Sequence, residues 1–184
     1  PCPRSLAATE ALPSPICAMP PFPFSPVGFS GETEKALSYL LNNYKGRLIV
    51  DADGLTALSR LGSDAIKNAA CELILTPHNM EFSRISGLPI SEILSAPIDH
   101  AKKFAKDHGC TLLLKGPSTI VTDGERVYVI DRGCAGMATA GSGDVLSGIL
   151  AATAAYVPSP LEATALAAYI NGAAGELAES RSNP

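Results

Sequence analysis

The segment 140–146, AGSGDVL, places a glycine-rich turn before the predicted start of a helix. Glycine permits a tight turn whose backbone no side chain covers. The first amides of a helix are unpaired and carry partial positive charge. Gly141, Ser142 and Gly143 are therefore predicted to hold a phosphate or a developing oxyanion. Asp144 falls in the first turn of that helix. It is either a general base beside the anion or a carboxylate that stabilises the helix N-terminus, and the segment alone does not separate these roles.

Two further side chains could contact an anionic ligand. Lys115 follows a short apolar strand and precedes Gly116. It is either a phosphate ligand or a solvated surface lysine. His78 follows Thr76 and Pro77. An isolated histidine is more often structural than functional, but a position at the end of a strand favours contact with a ligand.

Three carboxylates accompany these residues. Asp51 and Asp53 follow another apolar strand, and Glu81 lies three residues after His78. The two aspartates either cap the strand end or position magnesium through water, since that metal prefers oxygen ligands. We expect these three residues to support the site or to contact metal-bound water, and we expect no direct protein ligand to a metal.

Apolar strands that alternate with helices are predicted to position these groups. Such strands indicate a parallel sheet that helices cover on both faces, an α/β fold with three layers. The ligand crevice of such a sheet lies at the carboxyl ends of its strands. Polar clusters follow three strands, so Asp53, His78, Lys115 and Asp144 are predicted to border one crevice. The strands predicted from the apolar runs are 47–51, 73–76 and 112–114.

The other elements follow from periodicity and turn residues. Asp123 and Gly124 lie between two β-rich runs, 119–122 and 127–130, which is typical of an antiparallel hairpin. Helical spacing of apolar residues begins near Ser30. Further helices are predicted at 54–61, 97–108, 142–155 and 161–178.

Composition limits the classes of function. The chain has 184 residues, 46% of them hydrophobic, and a formal net charge of -4. This size fits about one domain, and the charge argues against nucleic acid or an anionic membrane as the main partner. The cysteines are odd in number and lack C-x-x-C spacing, which argues against a disulfide scaffold or a zinc site and favours a cytoplasmic protein. They are Cys2, Cys17, Cys71, Cys110 and Cys134.

The first 30 residues differ from the rest. Eight of the 15 prolines fall within residues 1–26. Each proline removes an N–H donor and fixes φ, so no helix or central strand is expected there. We therefore divide the chain into an irregular, proline-rich segment, 1–30, and a domain at 31–184.

Four motifs together resemble those of the ADP- or ATP-dependent NAD(P)H-hydrate dehydratases, in the ribokinase-like superfamily. The run IVDADGL resembles the family's D-A-D-G-L, and LTPH with Glu81 resembles T-P-H-x-x-E. The run LKGPST resembles L-K-G-x-x-T, and GMATAGSGD resembles G-M-A-T-x-G-[ST]-G-D. The motifs occur in the family's order, and the resemblance covers residues 31 to about 180.

The resemblance implies a ribokinase-like domain that lacks N-terminal strands of the full family domain. It implies dehydration of hydrated NADH or NADPH back to NAD(P)H, driven by cleavage of ADP or ATP with Mg²⁺, and assembly as a homotetramer. Asp144 is then the catalytic base and contacts the hydrate together with His78. The adenine nucleotide would contact Lys115, Gly116, Pro117, Ser118 and Thr119, with Gly141, Ser142 and Gly143.

The sequence departs from the family pattern at Cys134, where the family usually has asparagine. A thiol does not replace the strong donor and acceptor of an amide. Two alternatives stay open from the sequence. One is a small-molecule kinase of the same superfamily, acting on a vitamin precursor or a sugar; T-P-H rather than T-P-N argues against it. The other is a non-catalytic nucleotide-binding module.

Overall fold

In the described part of the chain, five short strands form one mixed sheet in the order β1-β2-β3-β4-β5. The structure is a computed structural model that describes residues 31–182, so the predicted irregular segment 1–30 lies outside the described residues. β1, β2 and β3 are parallel, and β4 is antiparallel to both its neighbours. Four strands therefore share one direction, which confirms a mostly parallel sheet with a hairpin. The strands are β1 (Arg47–Val50), β2 (Glu72–Leu75), β3 (Thr111–Leu114), β4 (Thr119–Thr122) and β5 (Val127–Ile130).

Eight α-helices and one turn of 3-10 helix, Ala135–Met137, surround this sheet in the described part of the chain. All the predicted helices are present. Three more were missed because they have only five to eight residues, too few turns for a periodic pattern to show. No helix among residues 31–182 is both long and apolar enough to cross a membrane. The helices are α1 (Gly31–Asn43), α2 (Asp53–Leu61), α3 (Ser63–Lys67), α4 (Asn79–Ser86), α5 (Ile90–Ser95), α6 (Pro97–His108), α7 (Ser142–Tyr156) and α8 (Pro160–Ser182).

Alternating side chains of the central strands divide the core into two clusters, one on each face of the sheet. Leu112 and Leu114 of β3 pack with residues of α1 to α6, whereas Leu113 packs with residues of α7 and α8. β2 alternates in the same way, because successive side chains of a strand point to opposite faces. The three-layer α/β/α arrangement predicted from the sequence is confirmed.

Helix α7 is held against β1 at both ends. The Arg47 guanidinium, at the start of β1, donates hydrogen bonds to three carbonyl oxygens at the end of α7 and just after it, where the helix leaves such groups unpaired. At the other end of β1, Asp51 accepts a hydrogen bond from Ser147 of α7 at 3.1 Å. The start of α7 is therefore fixed at the carboxyl edge of the sheet.

Candidate functional site

The ends of β2 and β3 meet through backbone contacts. His78 and Lys115 form an isolated parallel bridge just beyond these strands. The Lys115 amide also donates to the Pro77 carbonyl at 2.8 Å. Two of the polar clusters predicted at strand ends are therefore neighbours, at the edge where a parallel α/β sheet binds its ligands.

His78 is the N-cap of helix α4. Its Nδ1 accepts hydrogen bonds from the amides of Met80 and Glu81 at 3.1 and 3.2 Å. The Glu81 carboxylate accepts one from the His78 amide at 2.9 Å, which completes a capping box. An Nδ1 that accepts hydrogen bonds carries no proton, so the neutral ring has its proton on Nε2. His78 thus has a structural role through Nδ1. Its Nε2 lies 3.6 Å from Glu81 Oε2, and because the side chain is half-exposed the Nε2–H can also reach a ligand.

Lys115 is held by carboxylates rather than left in solvent. Its Nζ lies 2.9 Å from Asp51 Oδ1 and 4.0 Å from Glu81 Oε2. The Lys115 side chain is only 26% exposed. Of the two interpretations of this lysine, the solvated surface residue therefore fits poorly. The pairing holds the ammonium group at the strand ends, where it can receive negative charge from a ligand.

Asp51 connects the lysine to the glycine-rich helix. Besides Lys115 it accepts hydrogen bonds from the Ala52 amide at 2.9 Å and from the Ser147 hydroxyl. Burial works to raise the pKa of Asp51, but the hydrogen bond and charge of Lys115 together with the other donors outweigh it. The pKa of this carboxyl is therefore held below its ordinary value, and Asp51 is charged at neutral pH.

The glycine-rich turn opens helix α7 beside Asp51. Gly141 has a φ of +89°, a left-handed conformation that glycine adopts without strain, and it is the N-cap of the helix. Ser142 and Gly143 form the first turn, and a β-carbon at Gly143 would lie 3.8 Å from Asp51 Oδ2. Asp144 follows in the same turn and is exposed.

A cavity of about 930 Å³ opens between these elements. Seven of the residues predicted from the sequence line it: His78, Lys115, Gly116, Pro117, Thr119, Ser142 and Gly143. The other predicted residues do not line the cavity. Asp51 and Glu81 contact the lining residue Lys115. Asp53 is exposed in the first turn of α2, and Ser118, Gly141 and Asp144 are exposed and adjacent in sequence to lining residues.

Several lining residues were not predicted. Arg132, Gly133 and Met137 follow β5, whose carboxyl end lies at the same edge as those of β1 to β3. Because these residues directly follow a strand, the sequence could have been used to predict that they line the cavity. Asn171 comes from the middle of helix α8, where one asparagine in an alanine-rich helix gives no pattern to detect. Cys134, which marks the departure from the family pattern, also lines the cavity.

The cavity combines groups suited to a polyphosphate ligand. It offers the ammonium group of Lys115, the amides at the start of α7 and the imidazole N–H of His78. Within residues 31–182 no cluster of three histidines, cysteines, aspartates or glutamates could hold a metal ion.

Comparison with solved structures agrees with this fold. The chain superimposes on the ADP/ATP-dependent NAD(P)H-hydrate dehydratase of Bacillus subtilis, co-crystallised with ATP and Mg²⁺, with a TM-score of 0.72 and 26% identity. The match covers 82% of this chain and 52% of that one. A ribokinase-like protein of Enterococcus faecalis gives a TM-score of 0.71 at 27% identity, with 84% of this chain and 53% of that one covered.

Curated relatives carry related names. The chain is 41% identical over 145 residues to the ADP-dependent (S)-NAD(P)H-hydrate dehydratase of Cenarchaeum symbiosum, covering 79% of this chain and 49% of the relative. It is 39% identical over 158 residues to the bifunctional NAD(P)H-hydrate repair enzyme of Hyperthermus butylicus, covering 83% of this chain and 29% of the relative. The chain thus spans about half the length of the first of these relatives and less of the second. The sequence profile of one family matches residues 28–184, and the chain therefore belongs to the NAD(P)H-hydrate dehydratase family.

Proposed function

We propose that this chain takes part in the nucleotide-dependent dehydration of hydrated NADH and NADPH, in repair of the nicotinamide cofactors. The observation that carries the proposal is the cavity that Lys115, His78 and the first turn of α7 line together. Membership of the dehydratase family favours this activity over a vitamin-precursor or sugar kinase.

The adenine nucleotide is proposed to bind along Lys115 to Thr119, with its phosphates at the start of α7. One cation and several unpaired amides there can neutralise phosphate charge without a dedicated metal site. Mg²⁺ would enter as a complex with the nucleotide, because Asp51 is already engaged by Lys115 and Ser147. ADP and ATP both present a terminal phosphate that such a site can bind, and both are candidates.

A phosphorylated intermediate would make the elimination possible. The hydroxyl oxygen of the hydrate attacks the terminal phosphorus of the nucleotide, and the bond to the bridging oxygen breaks to release AMP from ADP, or ADP from ATP. The C–O bond of the phosphate ester then breaks, and the ring loses a proton as NAD(P)H forms. Phosphate is a far better leaving group than hydroxide. The amides of Gly141 and Gly143 would stabilise the charge on the transferring group. The Ser142 amide donates to the Thr139 carbonyl at 3.3 Å and would have to exchange that bond for one to the phosphate.

Asp144 is the proposed base for the first step. It directly follows Gly143, which lines the cavity, and its exposed carboxylate can take the hydroxyl proton. His78 is proposed to contact the hydrate through its Nε2–H. The homotetramer implied by the family resemblance stays a prediction, which light scattering tests.

Release of phosphate from ADP and from ATP, with and without hydrated NADH, tests the activity. Phosphate release that requires the hydrate, together with NADH formation, supports the proposal. Phosphate transfer to another hydroxyl compound would favour a kinase, and nucleotide binding without turnover would favour a non-catalytic module.

Asp144→Asn tests the proposed base in the same assay. The substitution removes the base and keeps the size, so we expect turnover to fall by about 10²–10⁴. The free energy of unfolding should change by no more than about 1 kcal/mol, the effect of a charge at a helix terminus. Turnover that is kept while stability falls would assign Asp144 a structural role only.

A further inference from the structure

One wall of the cavity has little regular structure of its own. We call the residues 132–138, between β5 and the glycine-rich turn, the wall segment. Five of its seven residues are exposed, and its regular structure is limited to the 3-10 turn. Its internal backbone hydrogen bonds run from Met137 to Cys134 and from Ala138 to Ala135. A segment with so few internal bonds needs outside contacts to keep one conformation.

Glu176 of helix α8 supplies two of those contacts. Its Oε1 accepts a hydrogen bond from the Gly133 amide at 2.7 Å, and its Oε2 lies 2.7 Å from the Arg132 guanidinium. Both carboxylate oxygens therefore engage consecutive residues of the wall segment. The Arg132 guanidinium also lies 5.6 Å from the centre of the Tyr169 ring, within the range of a cation–π contact. Arg132 and Gly133 line the cavity, but Glu176 does not.

Two glycines on the same side of α8 let the wall segment approach this closely. A β-carbon at Gly172 would lie 2.6 Å from the Arg132 carbonyl oxygen, closer than real atoms pack. A β-carbon at Gly175 would collide with the side chain of Met137. Residues three and four apart share one face of a helix, so these glycines and Glu176 form one contact surface. The wall segment rests directly on this surface, which brings its backbone within reach of the carboxylate.

We propose that Glu176 is a positioning residue for ligand binding in the cavity. Its carboxylate holds the wall segment, through the Gly133 amide and Arg132, in the conformation that lines the cavity. A wall that is already ordered spares the ligand the entropy of ordering it, which strengthens binding. The inference deepens the proposed function and rests on it, since the ligand is taken to be the adenine nucleotide.

Two substitutions separate the hydrogen bond from the charge. Glu176→Ala removes both contacts, whereas Glu176→Gln keeps an acceptor for the Gly133 amide. Glu162→Ala is the matched control, because Glu162 is an exposed glutamate near the start of the same helix and also pairs with an arginine, Arg126, at 3.4 Å. Neither residue of that pair lines the cavity.

Three measurements on each variant test the inference. The first is hydrogen exchange of the Gly133 amide without ligand, followed by NMR and compared with amides of β1 to β3. The second is the Kd of ADP with Mg²⁺ by calorimetry. The third is the thermal midpoint, which detects a general loss of stability.

We expect Glu176→Ala to speed exchange at Gly133 by at least about tenfold and to raise the Kd of ADP by at least about tenfold, the lower end of the range for losing a hydrogen bond to a charged group. Glu176→Gln should bring both the exchange rate at Gly133 and the Kd of ADP to within about threefold of the unaltered chain. Glu162→Ala should match the unaltered chain in both measurements.

Two results would overturn the inference. One is unchanged exchange at Gly133 and unchanged ADP affinity in Glu176→Ala. The other is exchange that rises equally at Gly133 and throughout the sheet, since this would be general destabilisation. An unaltered chain that binds no ADP, with Gly133 responding as expected, would overturn the proposed function and still support Glu176 as the residue that holds the wall segment.

Discussion

Removal of the charges of Asp51 and Lys115, separately and together, measures how strongly the strand ends are coupled. Lys115 Nζ lies 2.9 Å from Asp51 Oδ1, and the side chains of Asp51 and Lys115 are 18% and 26% exposed. An exposed ion pair contributes about 0–1 kcal/mol to the free energy of unfolding, whereas breaking a fully buried pair lowers that free energy by about 3–5 kcal/mol. This partly buried pair lies between these limits. We therefore expect a coupling free energy of about 1–2 kcal/mol from the cycle of Asp51→Asn, Lys115→Met and the double variant.

Urea unfolding of the four proteins gives the free energies of unfolding for this cycle. The cycle of Lys103→Met and Asp107→Asn is a suitable control. That pair is closer, at 2.6 Å, but its side chains are 74% and 46% exposed. Solvent screens it, so its coupling should be much smaller.

The coupling should also depend on pH in a defined direction. The pKa of Asp51 is held below the ordinary value of 3.8. The stabilisation is therefore fully present above about pH 4 and is lost as the pH falls through the folded-state value. A coupling at neutral pH no larger than that of the control pair, or one that failed to decline on acidification, would refute this account of the site.

Three further predictions concern the packing. Phe82→Ala should lower the free energy of unfolding by about 3–5 kcal/mol in urea unfolding, because this fully buried ring packs edge-on against Phe104 at 5.3 Å. Burial raises the pKa of Cys110 to about 12, so its thiol should stay unlabelled by iodoacetamide in the folded chain at about pH 8, as mass spectrometry would detect. Gly172→Ala should lower the thermal midpoint, since its β-carbon would clash with the Arg132 carbonyl oxygen, 2.6 Å away. Gly148→Ala, with nothing within 4 Å, should raise it.

The local sequence was sufficient to predict the strands and the longer helices. Both hairpin strands, 119–122 and 127–130, were predicted with the bounds that the structure has, because β-rich runs on either side of an Asp-Gly turn are local features. Helix α6 was also predicted with its observed bounds, from Pro97 in its first turn to Gly109 beyond its end. Helices α3, α4 and α5 were missed, since tertiary packing rather than periodicity stabilises such short helices.

The sequence by itself determined which strand ends carry polar residues, and hence the edge of the sheet where His78 and Lys115 meet. Only the tertiary structure decided what surrounds them. Ser147 reaches Asp51 across 96 positions of sequence, and Glu176 reaches Gly133 across 43. These contacts depend on how α7 and α8 lie against the sheet and the wall segment. A pattern of neighbouring residues carries no information about that, because packing between layers joins residues that are distant in the chain.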